Sequence, residues 1–100
     1  MKESTLEARL VQGVKALGGR AYKFVSPGNV GVPDRLVLLP NGRILFAELK
    51  TDTGRLSQMQ AHQIRELRQK GAEVWVVQGE TGVQRFLGAC REYIHGGGIG

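Results

Sequence analysis

Residues 31–50, GVPDRLVLLPNGRILFAELK, hold two short apolar runs around Pro40-Asn41-Gly42, with Asp34 opening the first run and Glu48 and Lys50 closing the second. Asn-Gly commonly makes a two-residue type I′ turn, but that register would put Pro40 at a flanking ladder position, where it has no N–H to donate. A three-residue loop suits the residues better: Pro40 supplies the fixed φ of the first turn position, Asn41 takes the second, and Gly42 the left-handed bulge position. In that register Leu39 faces Arg43, and counting outward sets Asp34 across from Glu48 on one face of the sheet. Opposed Cβ atoms lie about 4.5–5.5 Å apart, so these carboxylates repel unless a proton or a cation stands between them. Lys50 projects from the same face, because side chains alternate and Leu49 points away.

A hard divalent cation relieves such repulsion, and Mg²⁺ typically takes one or two carboxylates and completes its shell with water and phosphate oxygens. That combination suits phosphodiester hydrolysis. The cation polarises the phosphate and acidifies an attacking water, and Lys50 steadies that water or the developing charge.

On the N-terminal side, Leu6, Leu10, Val14 and Leu17 recur at helical spacing over residues 5–17, and Gly18-Gly19 stops the helix. Ser4 and Glu7 fit a capping box with Ser4 at the N-cap. RAYKFV, residues 20–25, reads as a strand, followed by the loop SPGNVGVP. Strands are expected over 35–39 and 44–49, apolar on both sides as in a sheet covered by helices on each face. Beyond the polar loop TDTGR, Ser57 and Gln60 fit a second capping box that opens a helix to about Lys70, burying Met59, Ile64 and Leu67 and ending at Gly71. AEVWVV reads as a buried strand, and a last helix from Thr81 buries Val83, Phe86, Leu87 and Tyr93. The expectation is one α/β domain over residues 1–94, ordered αβββαβα around a mixed four-stranded sheet flanked by helices, with a flexible glycine-rich tail at 95–100.

The composition fits a globular protein: 41% hydrophobic and 23% charged residues in 100. Fourteen Lys and Arg against nine Asp and Glu leave a net charge of +5, a field that favours polyanions, nucleic acid first among them. The single cysteine, Cys90, excludes an intrachain disulfide and a cysteine-based zinc site and points to a reducing compartment. With no secretory h-region and no long apolar stretch, a cytoplasmic protein with no membrane partner is expected. No P-loop follows the glycines at 13, 18 and 19, His62 and His95 do not pair as zinc ligands, and Trp75 reads as core.

Taken together, Pro33-Asp34 and Glu48-Leu49-Lys50 resemble the two signatures of the PD-(D/E)xK nuclease superfamily. Within it the chain is most similar to the VRR-NUC family, whose pattern is met in order by Glu7, Lys23, Gly31-Val32-Pro33-Asp34, Glu48-Leu49-Lys50 and Ser57-Gln58-Met59-Gln60. The resemblance runs from about Glu7 to Phe86 and implies a restriction-endonuclease-like fold. It also implies Mg²⁺ or Mn²⁺ held by Asp34, Glu48 and the backbone carbonyl of Leu49, with Lys50 as catalytic lysine, Glu7 as supporting carboxylate and Gln60 as positioning amide. A member of this small size is expected to be a homodimeric, structure-selective endonuclease that cuts four-way (Holliday) DNA junctions, phage-encoded by family habit.

Plainer explanations stand beside these. Glu7 and Gln60 each serve a capping box without any catalytic purpose. Glu48 and Lys50 make an ordinary pair at a strand end. Lys23 and Arg35 are candidates for phosphate contacts, as are the Ser26 and Gly28 positions in the loop facing the site. Two other functions fit the charge and size: a basic DNA-binding module with a structural acidic cluster, and a small accessory subunit of a DNA-processing complex.

Overall fold

The computed structural model describes residues 1–96. The elements run α1 (Glu3–Ala16), β1 (Arg20–Lys23), β2 (Arg35–Leu38), β3 (Ile44–Lys50), α2 (Gln58–Gln69), β4 (Val74–Gln78) and α3 (Gly79–Arg91), closing on a π-helical turn, Glu92–Gly96. This is the expected order. The tail expected from residue 95 coincides with that turn at His95 and Gly96, and its remainder, 97–100, lies outside the described residues. No described helix is long and apolar enough to cross a membrane.

The sheet is ordered β1-β2-β3-β4, antiparallel between β1 and β2 and between β2 and β3, and parallel between β3 and β4. The hairpin takes the register its turn chemistry demands. Arg35 pairs with Ala47 and Leu38 with Ile44, Leu39 N–H donates to Arg43 C=O at 2.9 Å and Gly42 N–H to Leu39 C=O at 2.9 Å, and Gly42 takes φ +89°. Asp34 is therefore the next partner of Glu48.

The two faces of the sheet differ more than the sequence suggests. Leu45, Ala47 and Leu49 of β3 are fully buried with Val37 and Val77 against Leu6, Leu10 and Val14 of α1 and Val83 and Phe86 of α3. Each such leucine contributes about 2 kcal/mol. On the other face α2 covers only the β4 side, with Ile64 and Val74 buried there. Helices flank both faces as expected, but on this face the cover is partial: Tyr22 and Ile44 stay 45% and 49% exposed, and Leu36, Leu38 and Phe46 are half-buried. A single helix, about 10 Å across, covers about two strands spaced ~4.8 Å apart, not four.

Several boundaries move. The strand expected over 20–25 ends at Lys23, and α3 starts two residues before Thr81. The α1 capping box does not form: the helix begins at Glu3 with Lys2 at the N-cap and no side-chain cap bond. Met59, expected in the core, is 47% exposed.

Candidate active site

The ends of β2 and β3 bring the expected acids together where the chain leaves the ladder. Asp34 Oδ2 accepts from Leu49 N–H at 2.8 Å, and Asp34 C=O accepts from Phe24 N–H at 2.9 Å. The carboxylate thus stands in for a carbonyl of the β2–β3 ladder and is fixed beside β3. Glu48, 1% exposed, is the sole buried charged residue among those described. Its Oε2 accepts from Gln60 Nε2 at 3.0 Å and lies 3.6 Å from Lys50 Nζ.

Burial pushes the Glu48 carboxyl up from 4.5 to about 7, with the neighbouring Asp34 charge next in weight and Lys50 opposing both. Asp34 is also raised, by burial first and by Glu7 as well, against the Leu49 N–H bond and the nearby cations Lys50 and Arg35. Keeping Glu48 ionised near neutrality therefore costs ~3 kcal/mol. Leu45 and Leu49, on the other face of the same strand, contribute more than that by burial, so β3 tolerates the acid.

Gln60 does two jobs. Its Oε1 accepts from Ser57 N–H at 2.9 Å and Ser57 Oγ accepts from Gln60 N–H at 3.1 Å, completing the α2 capping box. Ser57 N–H can only donate, which fixes the amide orientation and leaves Nε2 to face Glu48.

Gly31, with φ +96°, sets that turn in place: a Cβ there would lie 2.6 Å from the Met59 carbonyl carbon and 2.8 Å from Gln60 N. Any other residue would drive loop and helix apart. The main chain of Met59, not its side chain, packs inward, which explains its exposure. The sequence reading passed over Gly31 as a site-building residue, although a glycine three positions before Asp34 already marks a close backbone approach.

Glu7 bonds Arg35 instead of its own helix end: Arg35 Nε donates to Glu7 Oε2 at 2.7 Å and Nη1 to Ala21 C=O at 3.2 Å. Arg35, expected at a phosphate, is turned inward to tie α1, β1 and β2 together. Glu3 also acts on Glu48, a charge missed in the sequence although it lies one turn before Glu7, on the same face of the helix. Lys23 and Gly28 lie exposed, and Ser26 is half-buried, its Oγ accepting from Asn29 Nδ2 at 2.9 Å. His62 is exposed, and Trp75 packs edge-on to Phe86 at 5.5 Å.

The residues fit a hard cation. Two carboxylates, one of them buried and raised to about 7 by its surroundings, offer oxygen donors whose mutual repulsion a divalent ion removes. No three His, Cys, Asp or Glu side chains gather into a closed cage among the described residues. Any ion here would keep open positions.

Comparison with known proteins places the fold in a family. The sequence profile of the VRR-NUC domain matches residues 4–81. The chain belongs to the VRR-NUC family. A solved structure described as a VRR_NUC domain superposes with TM-score 0.79 at 30% identity, covering 86% of this chain and 94% of its own. A curated relative, "Putative nuclease p44" of Acyrthosiphon pisum secondary endosymbiont phage 1, is 60% identical over 50 residues, which is 50% of this chain and 54% of the relative. The match thus spans about half the length of that relative. The α/β architecture with a mixed four-stranded sheet is that of the VRR-NUC domain.

Proposed function

We propose that this VRR-NUC domain is a divalent-cation-dependent endodeoxyribonuclease that hydrolyses phosphodiester bonds in branched DNA, four-way junctions in particular, as a homodimer. The observation that carries this reading is Glu48: an acid 1% exposed, raised to about 7, opposite Asp34 and beside Lys50. A merely structural acid would gain nothing from that company.

Asp34, Glu48 and the Leu49 carbonyl are the groups to hold Mg²⁺ or Mn²⁺, which when bound supplies Lewis-acid polarisation of the phosphate and a more acidic water. The Leu49 N–H keeps the Asp34 carboxylate aimed. Gln60 Nε2 holds Glu48 in one rotamer and favours its ionised form. The Lys50 ammonium stabilises negative charge developing on the phosphate or the attacking oxygen. Glu7 acts through Arg35, fixing the β2 start that carries Asp34. Lys23 and the backbone at Ser26 and Gly28 lie where DNA phosphates would pass. For the dimer, the uncovered strip of Tyr22, Leu36 and Ile44 offers a second copy an apolar surface, and two-fold symmetry would present two sites to the two strands of a junction.

The test compares the unsubstituted protein with Asp34→Asn on linear duplex, flap and four-way junction DNA, each with Mg²⁺, Mn²⁺ or chelator. Junction cleavage is expected only with metal, and ~10³-fold slower in the variant, as for loss of a group acting on the transition state. Cleavage by the variant at the full rate would remove Asp34 from the mechanism, and binding without cleavage under every metal would leave a basic DNA-binding module.

A further inference from the structure

Of the six large apolar side chains exposed among the described residues, two flank one loop turn, Val25 at 68% and Val30 at 72%, and the main chain of a third, Met59 at 47%, meets the end of that loop at Gly31. Pro27 is exposed between the two valines. The loop is a closed turn. Asn29 N–H donates to Ser26 C=O at 3.0 Å, the side chains of the same two residues bond at 2.9 Å, and Gly28 takes φ +82°. Both feet of the loop rest on the site. Phe24, next to Val25, bonds Asp34 C=O, while Gly31, next to Val30, lies against Met59 and Gln60, the residue that holds Glu48.

Exposed apolar side chains on a loop of a protein of net charge +5, held by main-chain contacts to Asp34 and to the start of α2, have a natural occupant in DNA bases. Proteins that kink duplexes insert apolar wedges between base steps at a cost of a few kcal/mol per step, and a branch point is a place where the continuous stack of a duplex is already interrupted. We propose that Val25 and Val30, with Pro27 between them in the turn, form a wedge that enters the stack at a DNA branch point and selects branched over linear substrates. This rests on the nuclease reading above and adds to it the part of the substrate that is recognised. Lys23, two residues before Val25 and exposed, is placed to hold the adjoining phosphate.

The experiment places 2-aminopurine at the branch point of a four-way junction and in a matched linear duplex, with Ca²⁺ as the cation, and follows fluorescence on adding protein. The unsubstituted protein and a Val25→Leu/Val30→Leu variant are expected to raise the junction signal at least ~3-fold and leave the duplex signal flat. A Val25→Ser/Val30→Ser variant is expected to lose the rise, and in Mg²⁺ to cut junctions ~10-fold more slowly, with its thermal midpoint unchanged. A flat junction signal with the unsubstituted protein, or a Ser variant identical to it, overturns the wedge. So does a Ser variant that becomes monomeric by sedimentation where the unsubstituted protein is dimeric, since the loop is then a protein interface. If no strand is cut in Mg²⁺ or Mn²⁺, the nuclease reading fails while the fluorescence still decides the wedge.

Discussion

Helices α1 and α2 open with the same sequence pattern, Ser-x-x-Glu at Ser4 and Ser-x-x-Gln at Ser57, yet only the second folds into a capping box. The difference lies in what the third residue can do. Glu7 is a carboxylate that only accepts hydrogen bonds, and Arg35 offers a charge-assisted partner stronger than a neutral backbone N–H. Gln60 both accepts and donates, so its oxygen closes the cap while its nitrogen reaches Glu48. The two helix ends then act on the acids with opposite sign: α1 brings negative charge from Glu3 and Glu7, and α2 brings a hydrogen-bond donor.

The largest expected effect is on pH dependence. Glu48 titrates at about 7 in the fold against 4.5 in the free side chain. Below pH 4.5 both states are protonated; between the two values the native state keeps a proton that the unfolded chain has lost. Metal-free stability should therefore fall by ~3 kcal/mol as pH rises across that window. Thermal melts in chelator from pH 4 to 8 measure the fall, which added Mg²⁺ should flatten. Gln60→Ala should widen the window and Glu3→Gln narrow it; shifts of the same direction in both would break the comparison.

Next in size is Gln60→Glu, which keeps an acceptor for Ser57 N–H but turns a carboxylate on Glu48. Cleavage of junction DNA should drop ~10²-fold, the usual cost of losing one positioned donor, with the cap retained. An unchanged rate would reduce the start of α2 to a cap and nothing more.

The smallest effects test the caps directly. Ser57→Ala should cost about 1 kcal/mol in urea unfolding, and Ser4→Ala less than ~0.5 kcal/mol. Equal losses would mean that both boxes form in solution.

Much of this was legible in the residues because it is local. Pro40, Asn41 and Gly42 admit one comfortable loop, and a loop sets the register of its hairpin, which in turn places Asp34 across from Glu48 and puts Lys50 on the same side. The α2 cap is local in the same way. What was misread depended on partners distant along the chain: Arg35 drawing Glu7 from its own helix end over 28 residues, and Gly31 meeting the main chain of Met59 and turning that side chain outward. The extent of helix cover on the second face was not legible for a different reason, since apolar runs show that a face avoids water in part but not what covers it.

By itself, then, the order of residues determined the hairpin, its paired acids and the family they belong to, because turns, alternation and caps act within a few residues. Only the tertiary structure decided how deeply Glu48 is buried, which helix end supports it and which apolar side chains stay in water. Burial and charge coupling are set by groups that meet through space, and no spacing along the chain encodes them.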